Sequence, residues 1–269
     1  MFELISAQKS LEDVVLNPKT KETLNNLLKQ VDKSVINRLK AWGIKDKKRG
    51  IDAKIIFYGV AGTGKTITAL ALAKSLKKEV LSFDCSKILS MYIGESEKNV
   101  RNIFDKYNEI KEQTKTEPVL LLNEADQFLS SRSSGTGSSA DKMHNQMQNI
   151  FLEQIERFDG ILIATTNLLE NLDKAFSRRF NYKIEFVKPN HEQRLELWKK
   201  LIPATLPLEK DFDFEKIAKH ELTGGQIELV IKNTAYKLAV LEDAVFTPKD
   251  FEEQISKEKK GQFDSETKV

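Results

Sequence analysis

The chain has little of several features that would mark a specialised class of protein. Its 269 residues include one cysteine, Cys85, which excludes a disulfide within the chain and fits a reducing compartment. Cys85 is interpreted as a small packing residue; a nucleophile is the alternative, but the sequence suggests no partner for it nearby. The apolar runs have strand length, and Met1–Ser6 lacks the pattern of a secretory signal. We therefore expect a cytoplasmic protein with no membrane partner.

An excess of charge of one sign is also missing. The chain has 43 basic and 40 acidic residues and a net charge of +3, which argues against a dedicated nucleic-acid surface. A short basic run at residues 45–49 is interpreted as a solvated connector, with a nucleic-acid patch as the alternative. Hydrophobic content of 40% and charged content of 31% describe an ordinary globular chain.

The organising feature is a glycine-rich stretch between an apolar run and a helical pattern. Residues 59–66 are Gly-Val-Ala-Gly-Thr-Gly-Lys-Thr, directly after the apolar residues 55–58. This spacing, with a strand before it and a helix after it, is the pattern of a phosphate-binding loop. A chance glycine-rich turn is the alternative. The sequence therefore predicts a site for a nucleoside triphosphate.

Each residue type in this loop has a physical role. Glycines let backbone N–H groups converge on an anion, and the following helix points its positive dipole end at the same phosphates. Lys65 would supply a point charge to the β- and γ-phosphates, and the hydroxyl of Thr66 would reach Mg²⁺. The predicted ATP-binding residues of the loop are Gly59, Val60, Ala61, Gly62, Thr63, Gly64, Lys65, Thr66 and Ile67.

A second signature follows the apolar run Pro118–Leu122. Because ligands of parallel α/β sheets lie at the carboxyl ends of strands, Asn123 and Glu124 should face the phosphate loop. Glu124 is suited to orient or deprotonate an attacking water. Proteins with this signature usually have Asp where Asn123 stands, so we expect weakened attraction for Mg²⁺ but not abolished binding. A strand that ends in an ordinary polar turn is the alternative.

Further polar groups follow the fourth predicted strand, Ile161–Thr165. Asn167 could hydrogen-bond the γ-phosphate or the lytic water. Arg178 and Arg179 precede the last predicted strand, and guanidinium groups are almost never buried unpaired. They are interpreted as an arginine finger that reaches the γ-phosphate of a neighbouring subunit, with plain surface charges as the alternative.

Strands alternate with helices from Lys54 to Pro189, and only helices are predicted beyond Pro189. The alternation predicts an α/β fold of the P-loop NTPase type, with a five-stranded parallel sheet flanked by helices and then a small all-helical domain. The predicted division is an N-terminal linker with helices that pack on the core at residues 1–50, a nucleotide-binding domain at 51–188, a helical domain at 189–257 and a polar tail at 258–269.

Together these motifs resemble the AAA+ ATPase module, and within that superfamily the AAA clade in the narrow sense, over residues 11–256. The resemblance places Asn167 at the sensor-1 position. It also places Arg178 and Arg179 in the arginine-finger region. In many members Pro-Gly separates those two arginines, whereas here they are adjacent, which leaves open which of them contacts nucleotide.

The resemblance extends to two other segments of the nucleotide site. Leu222–Ile227 resembles the sensor-2 segment of the helical lid without an arginine, so Gly225 and Gln226 are implied to line the base and ribose. Val14 and Val15 match the segment whose backbone borders adenine.

Residues 90–97, Ser-Met-Tyr-Ile-Gly-Glu-Ser-Glu, resemble pore loop 1 of this family. Tyr92 and Ile93 beside Gly94 would form an exposed apolar tip, which has a solvation cost unless it packs or grips something. The resemblance implies that this tip grips a polypeptide. The alternative is that Tyr92 folds back on the helix predicted at Asn99–Glu112.

The resemblance implies an ATP-driven protein remodeller of the unfoldase, translocase or disassembly type. It would be a homo-oligomer, a hexameric ring, with ATP and Mg²⁺ as cofactors and a polypeptide substrate or adaptor protein as partner. Two alternatives remain: a nucleotide-gated assembly or adaptor module with little turnover, which Asn123 favours, and a DNA-acting or clamp-loader-like ATPase, which the near-neutral charge disfavours. A small-molecule kinase shares the loop but explains neither the arginine pair nor the helical domain.

Overall fold

The computed structural model describes residues 2–44, 52–87, 96–114, 116–129, 139–167 and 174–261. By its contacts the chain divides into two compact units, each with its own hydrophobic core. The first unit consists of Met1–Val14, Pro18–Val60 and Lys65–Phe186. The second consists of Val15–Asn17, Ala61–Gly64 and Val187–Val269. The division into domains that the sequence suggests stays a prediction.

A six-stranded sheet forms the centre of the first unit. Its strands are β1 (Phe2–Ile5), β2 (Ala53–Gly59), β3 (Val80–Asp84), β4 (Val119–Asn123), β5 (Ile161–Thr166) and β6 (Tyr182–Phe186), in the spatial order β1-β3-β4-β5-β2-β6. Strands β2 to β6 pair in parallel, which confirms the predicted α/β fold. These strands were recognisable because buried parallel strands are apolar on both faces; all of β5, for example, is buried.

The five predicted parallel strands are all present, and the sheet has a sixth strand that the sequence did not predict. Phe2–Ile5 pairs antiparallel with β3 at the edge of the sheet, and the ring of Phe2 packs on that of Phe83 with centroids 4.9 Å apart. The two middle residues of this strand are exposed. A four-residue edge strand with so little burial has no apolar run for sequence analysis to find.

Helices flank the sheet of the first unit. They are α1 (Pro18–Gln30), α2 (Lys33–Ala41), α3 (Lys65–Ser75), α4 (Ser96–Gln113), α5 (Asp126–Leu129), α6 (Ser139–Arg157) and α7 (Lys174–Ser177), with 3₁₀ turns at Leu11–Asp13 and Cys85–Lys87. Asp32 caps α2 by accepting a hydrogen bond from the backbone N–H of Ser34 at 2.8 Å. Helix α1 lies against β6, where the hydroxyl of Tyr182 donates to Oε1 of Gln30 at 2.6 Å.

The core of the first unit accounts for Cys85. Its side chain is fully buried, and burial, followed by the charge of Asp84, raises the pKa of the thiol well above its ordinary value. Nearby in the same core the rings of Phe128 and Phe151 stack with centroids 4.5 Å apart. A buried, protonated thiol among apolar neighbours is a packing residue, as the sequence analysis expected.

The second unit is built from helices α8 (His191–Leu201), α9 (Phe214–Ala218), α10 (Gly224–Leu238) and α11 (Pro248–Gly261). Its core centres on Trp198 and Phe251, whose rings meet edge to face at 5.7 Å. Reciprocal capping boxes begin α8 at Asn190 and α10 at Thr223, which fixes where each helix starts. Across the described ranges, no helix is long and apolar enough to cross a membrane.

Candidate functional site

The predicted phosphate loop joins β2 to α3. Gly59 ends β2 with φ +134°, and a Cβ there would lie 2.1 Å from the carbonyl oxygen of Phe186 on the paired strand. Gly64 has φ +93°, a conformation that only glycine adopts without strain. The loop therefore turns sharply at a place where side chains would block the backbone. Of its other residues, Ala61, Gly62 and Ile67 are exposed, and Val60, Thr63 and Thr66 are half-buried.

Lys65 begins α3, and its side chain turns back over the loop. Its Nζ donates to the carbonyl oxygens of Gly59 and Val60, both at 2.8 Å. Only 7% of the residue is exposed, and this burial lowers the pKa of the ammonium group, while the charge of Asp126 raises it. An ammonium group that is buried against neutral carbonyls gains stabilisation from an anion. Lys65 is therefore positioned to receive one at the loop.

One amide oxygen connects three elements at the carboxyl edge of the sheet. Oδ1 of Asn123 accepts hydrogen bonds from the hydroxyls of Thr66 and Thr165, both at 2.8 Å. The Thr165 hydroxyl in turn accepts from the backbone N–H of Glu124 at 3.1 Å. A hydroxyl that donates its proton keeps oxygen lone pairs for a cation. Thr66 and Asn123, which the sequence predicts to bind Mg²⁺, are therefore in direct contact with each other.

These oxygens fit a magnesium ion that arrives with phosphates. Mg²⁺ prefers hard oxygen ligands and takes few of them from the protein when it binds a nucleotide. The hydroxyl of Thr66 and the amide oxygen of Asn123 are ligands of that kind. Within the described ranges, no group of three or more His, Cys, Asp or Glu side chains could hold a metal ion by itself. The arrangement suits an ion that the protein shares with a nucleotide.

Glu124 lies at the first position beyond β4, with φ +55°. A non-glycine residue in this left-handed region costs about 1 kcal/mol, so surrounding contacts must hold it. One such contact is the hydrogen bond from its N–H to Thr165. The side chain itself is exposed. A carboxylate held at a strained turn, one residue from Asn123, is available to a ligand bound at the loop.

Asp126 is a residue of this edge that sequence reasoning missed. It begins α5, and its Oδ1 accepts hydrogen bonds from the hydroxyl of Thr166 and from the backbone N–H of Asn167 at 2.9 Å. The side chain of Asn167 is exposed just beyond the end of β5. The available signal was a carboxylate two residues after Glu124, but a four-residue helix gives no periodicity with which to place it.

The two adjacent arginines have different surroundings. Nη1 of Arg179 donates to the carbonyl oxygen of Ala175 at 3.0 Å, and Nη2 pairs with the carboxylate of Glu156 at 3.4 Å. Its side chain is 31% exposed. Arg178, in contrast, is exposed. The structure therefore separates two residues that the sequence left equivalent.

In the second unit, the predicted sensor-2 segment contacts the phosphate loop. The N–H of Gly225 donates to the carbonyl oxygen of Gly62 at 2.9 Å, and both residues belong to this unit. Gln226 serves the capping box of α10, since its Oε1 accepts from the N–H of Thr223 at 2.9 Å. Within this unit Gly225 thus contacts Gly62, while the Gln226 amide is engaged by Thr223 and Glu258.

The remaining predicted site residues stay predictions. Val14 and Val15 are half-buried and follow the 3₁₀ turn at Leu11–Asp13. Tyr92, Ile93 and Gly94, the predicted pore loop, lie outside the described residues, as does the basic run at 45–49.

The sequence of this chain is similar to those of known proteins. The family described as "ATPase family associated with various cellular activities (AAA)" matches residues 55–188. The chain is similar to a putative 26S proteasome regulatory subunit homolog of Methanothermobacter thermautotrophicus, with 27% identity over 88% of this chain and 64% of that protein. It is also similar to cell division protein C of Sulfolobus acidocaldarius, with 29% identity over 84% of this chain and 61% of that protein.

A third relative is the 26S proteasome regulatory subunit 8 homolog of Schizosaccharomyces pombe, with 30% identity over 76% of this chain and 51% of that protein. The chain thus spans between half and two thirds of the length of these three relatives.

Proposed function

The chain belongs, through residues 55–188, to the AAA family of ATPases, and we propose that it binds ATP with Mg²⁺ at the loop between β2 and α3 and hydrolyses it. The observation that carries this proposal is the hydrogen-bonded edge in which Asn123 joins Thr66 to Thr165, with Glu124 on the next residue. It brings the residues expected to bind phosphate, metal and water to one end of the sheet.

Binding uses groups that the loop already presents. The backbone N–H groups of the loop and the N-terminus of α3 attract the phosphates, and Lys65 exchanges neutral carbonyl partners for phosphate oxygens. Thr66 and Asn123 would hold Mg²⁺ together with the nucleotide. When bound, the ion neutralises charge on the transferred phosphoryl group.

Glu124 acts on the attacking water. Its carboxylate accepts a proton as the water oxygen bonds to the γ-phosphorus, and the bond from that phosphorus to the bridging oxygen of ADP breaks. The products are ADP and inorganic phosphate. Asn167 contributes its amide to the γ-phosphate or the water, from an exposed position at the end of β5.

The arginine pair supports a site that a second copy of the chain completes. Arg179 is bound within its own chain to Ala175 and Glu156, whereas Arg178 is exposed. We propose that Arg178 reaches the γ-phosphate bound by a neighbouring copy. A homo-oligomer follows from this arrangement, and the hexameric ring implied by the family resemblance is part of the proposal.

The output of the cycle is the remodelling of a polypeptide substrate or of an adaptor-bound protein. Support comes from two relatives that are named proteasome regulatory subunits. Tyr92 and Ile93, beside Gly94, grip the polypeptide in this proposal, while the predicted nucleotide-binding domain at 51–188 and helical lid at 189–257 move with the nucleotide cycle. Tyr92→Ala should spare basal ATP hydrolysis and abolish threading of a tethered polypeptide; retained threading would contradict this role.

A second candidate function is a nucleotide-gated assembly or adaptor module with little turnover. Asn123 has a neutral amide where related proteins usually have an Asp carboxylate that binds Mg²⁺, and weaker attraction for Mg²⁺ favours this second candidate. The two candidates are separated by the rate of phosphate release from the full chain with ATP and Mg²⁺. Steady release that Glu124→Gln removes supports hydrolysis, whereas nucleotide binding without release supports the gated module.

A further inference from the structure

The end of β4 is joined to the end of β5 beyond the last residues of the regular sheet. The pairing of these strands ends at Leu122 and Ala164. Past that point, the N–H of Glu124 donates to the hydroxyl of Thr165 at 3.1 Å, and the N–H of Ala125 donates to the Thr165 carbonyl at 2.8 Å. Two consecutive residues of the turn after β4 therefore hold the end of β5.

Asp126 provides the outermost connection in this series. A single oxygen, Oδ1, accepts from the Thr166 hydroxyl and from the Asn167 N–H. Hydrogen bonds to a charged acceptor are stronger than those between neutral groups. Asn167 is the first residue after β5, and this carboxylate holds the backbone from which its exposed side chain extends.

The charge of Asp126 also acts on the phosphate loop. The carboxylate stabilises the charged form of Lys65, whose burial acts in the opposite direction. Asn123, which stands where the family usually has Asp, carries no charge. Asp126 is therefore a negative group that acts on both Lys65 and Asn167 at this edge, while the oxygen of Asn123 is engaged by two hydroxyls.

We propose that Asp126 is a positioning residue for ATP hydrolysis: by holding Thr166 and the backbone of Asn167 it aims the Asn167 amide at the γ-phosphate or the attacking water. This inference rests on the proposed function, because it needs a reaction at the loop. A purely structural role, as the first residue of α5, would instead change stability and leave the reaction untouched.

The test compares ATP hydrolysis by the full chain with Asp126→Ala, Asn167→Ala and the double variant, and with Asp126→Asn, which retains an acceptor oxygen. We expect Asp126→Ala to lower kcat roughly tenfold to a hundredfold, with KM and the affinity for a fluorescent ATP analogue changed less than about threefold. The double variant should be no more than about twofold slower than Asn167→Ala, because both single changes remove the same contribution, that of a correctly placed Asn167 amide. Asp126→Asn should fall between wild type and Asp126→Ala.

Asp32→Ala is the matched control, since Oδ1 of Asp32 also accepts from a hydroxyl and from a backbone N–H, both of Ser34. It should lower Tm and leave kcat unchanged. Hydrogen exchange at the Asn167 amide adds a readout independent of turnover, and should become faster in Asp126→Ala.

Three results would overturn the inference: kcat of Asp126→Ala within about twofold of wild type, effects of the two single changes that multiply in the double variant, or unchanged exchange at Asn167. If wild type and Glu124→Gln both fail to hydrolyse ATP, the proposed function itself is wrong and the role of Asp126 falls with it.

Discussion

The carboxyl edge of the sheet and the arginine pair hold their polar groups in contrasting ways. At the edge, Asn123 and Asp126 are both fixed by hydrogen bonds to other residues of the first unit. In the pair, Arg179 is held by its own chain but Arg178 is exposed. The edge thus presents groups that hydrogen bonds already hold in place, whereas Arg178 is more exposed than the arginine beside it.

The largest effect expected at the edge belongs to Glu124. Glu124→Gln retains the size of the side chain but cannot take a proton, so we expect hydrolysis to fall about 1,000- to 10,000-fold with ATP binding retained. Phosphate release and binding of a fluorescent ATP analogue measure the two effects. Glu192→Gln, an exposed change on α8, is the control and should behave as wild type. Hydrolysis by Glu124→Gln within tenfold of wild type would show that Glu124 does not take the proton from the attacking water.

The arginine pair should separate into two phenotypes. Arg178→Ala should lower kcat about 100- to 1,000-fold without loss of stability, because it removes a donor to the transition state. Arg179→Ala should cost at most about 1 kcal/mol of unfolding free energy, since the Glu156 carboxylate of its ion pair is exposed to solvent. Phosphate release and thermal unfolding check both variants. Equal loss of kcat in the two would show that the difference in exposure has no functional meaning.

A smaller effect is expected from restoring charge at the edge. Asn123→Asp keeps the oxygen that accepts from Thr66 and Thr165, and the added charge should tighten Mg²⁺ binding about tenfold. The measurement is the Mg²⁺ concentration that gives half-maximal hydrolysis, with the exposed Asn233→Asp on α10 as control. An unchanged Mg²⁺ dependence would mean that the charge at position 123 does not govern the metal.

The smallest effect concerns pH. Burial lowers the pKa of Lys65 below its ordinary value of 10.5, and bound phosphates should raise it. ATP affinity is then complete below the lowered pKa of the free protein and is lost as pH rises through that pKa. Lys65→Arg stays charged throughout this range and should show a flat profile. Parallel profiles for the two proteins would contradict this assignment.

Much of this architecture was predictable because strong local signals mark it. The parallel strands are continuous apolar runs, and the loop at 59–66 needs glycine where the backbone turns sharply at Gly59 and Gly64. Asn123 could likewise be placed by its position at the end of β4. Such features depend on residues that are close together in the chain.

The rest depends on contacts between distant residues that no local pattern records. Phe2 is placed by packing on Phe83, about eighty residues away, so β1 was missed. Asp126 matters because of Thr166 and Asn167, which lie forty and forty-one positions further on. The difference between the adjacent arginines likewise arises from Glu156, on another helix.

Mixing two inactive variants tests whether two copies of the chain share one site. Glu124→Gln keeps Arg178, and Arg178→Ala keeps Glu124, so each alone should be inactive for a different reason. In an equal mixture, a Glu124→Gln copy can supply Arg178 to the site of a neighbouring Arg178→Ala copy, which retains Glu124. Random assembly produces this arrangement at about a quarter of the sites, so about a quarter of wild-type hydrolysis should return. A mixture as inactive as either variant, formed under conditions in which the two are shown to co-assemble, would show that the copies do not share a site.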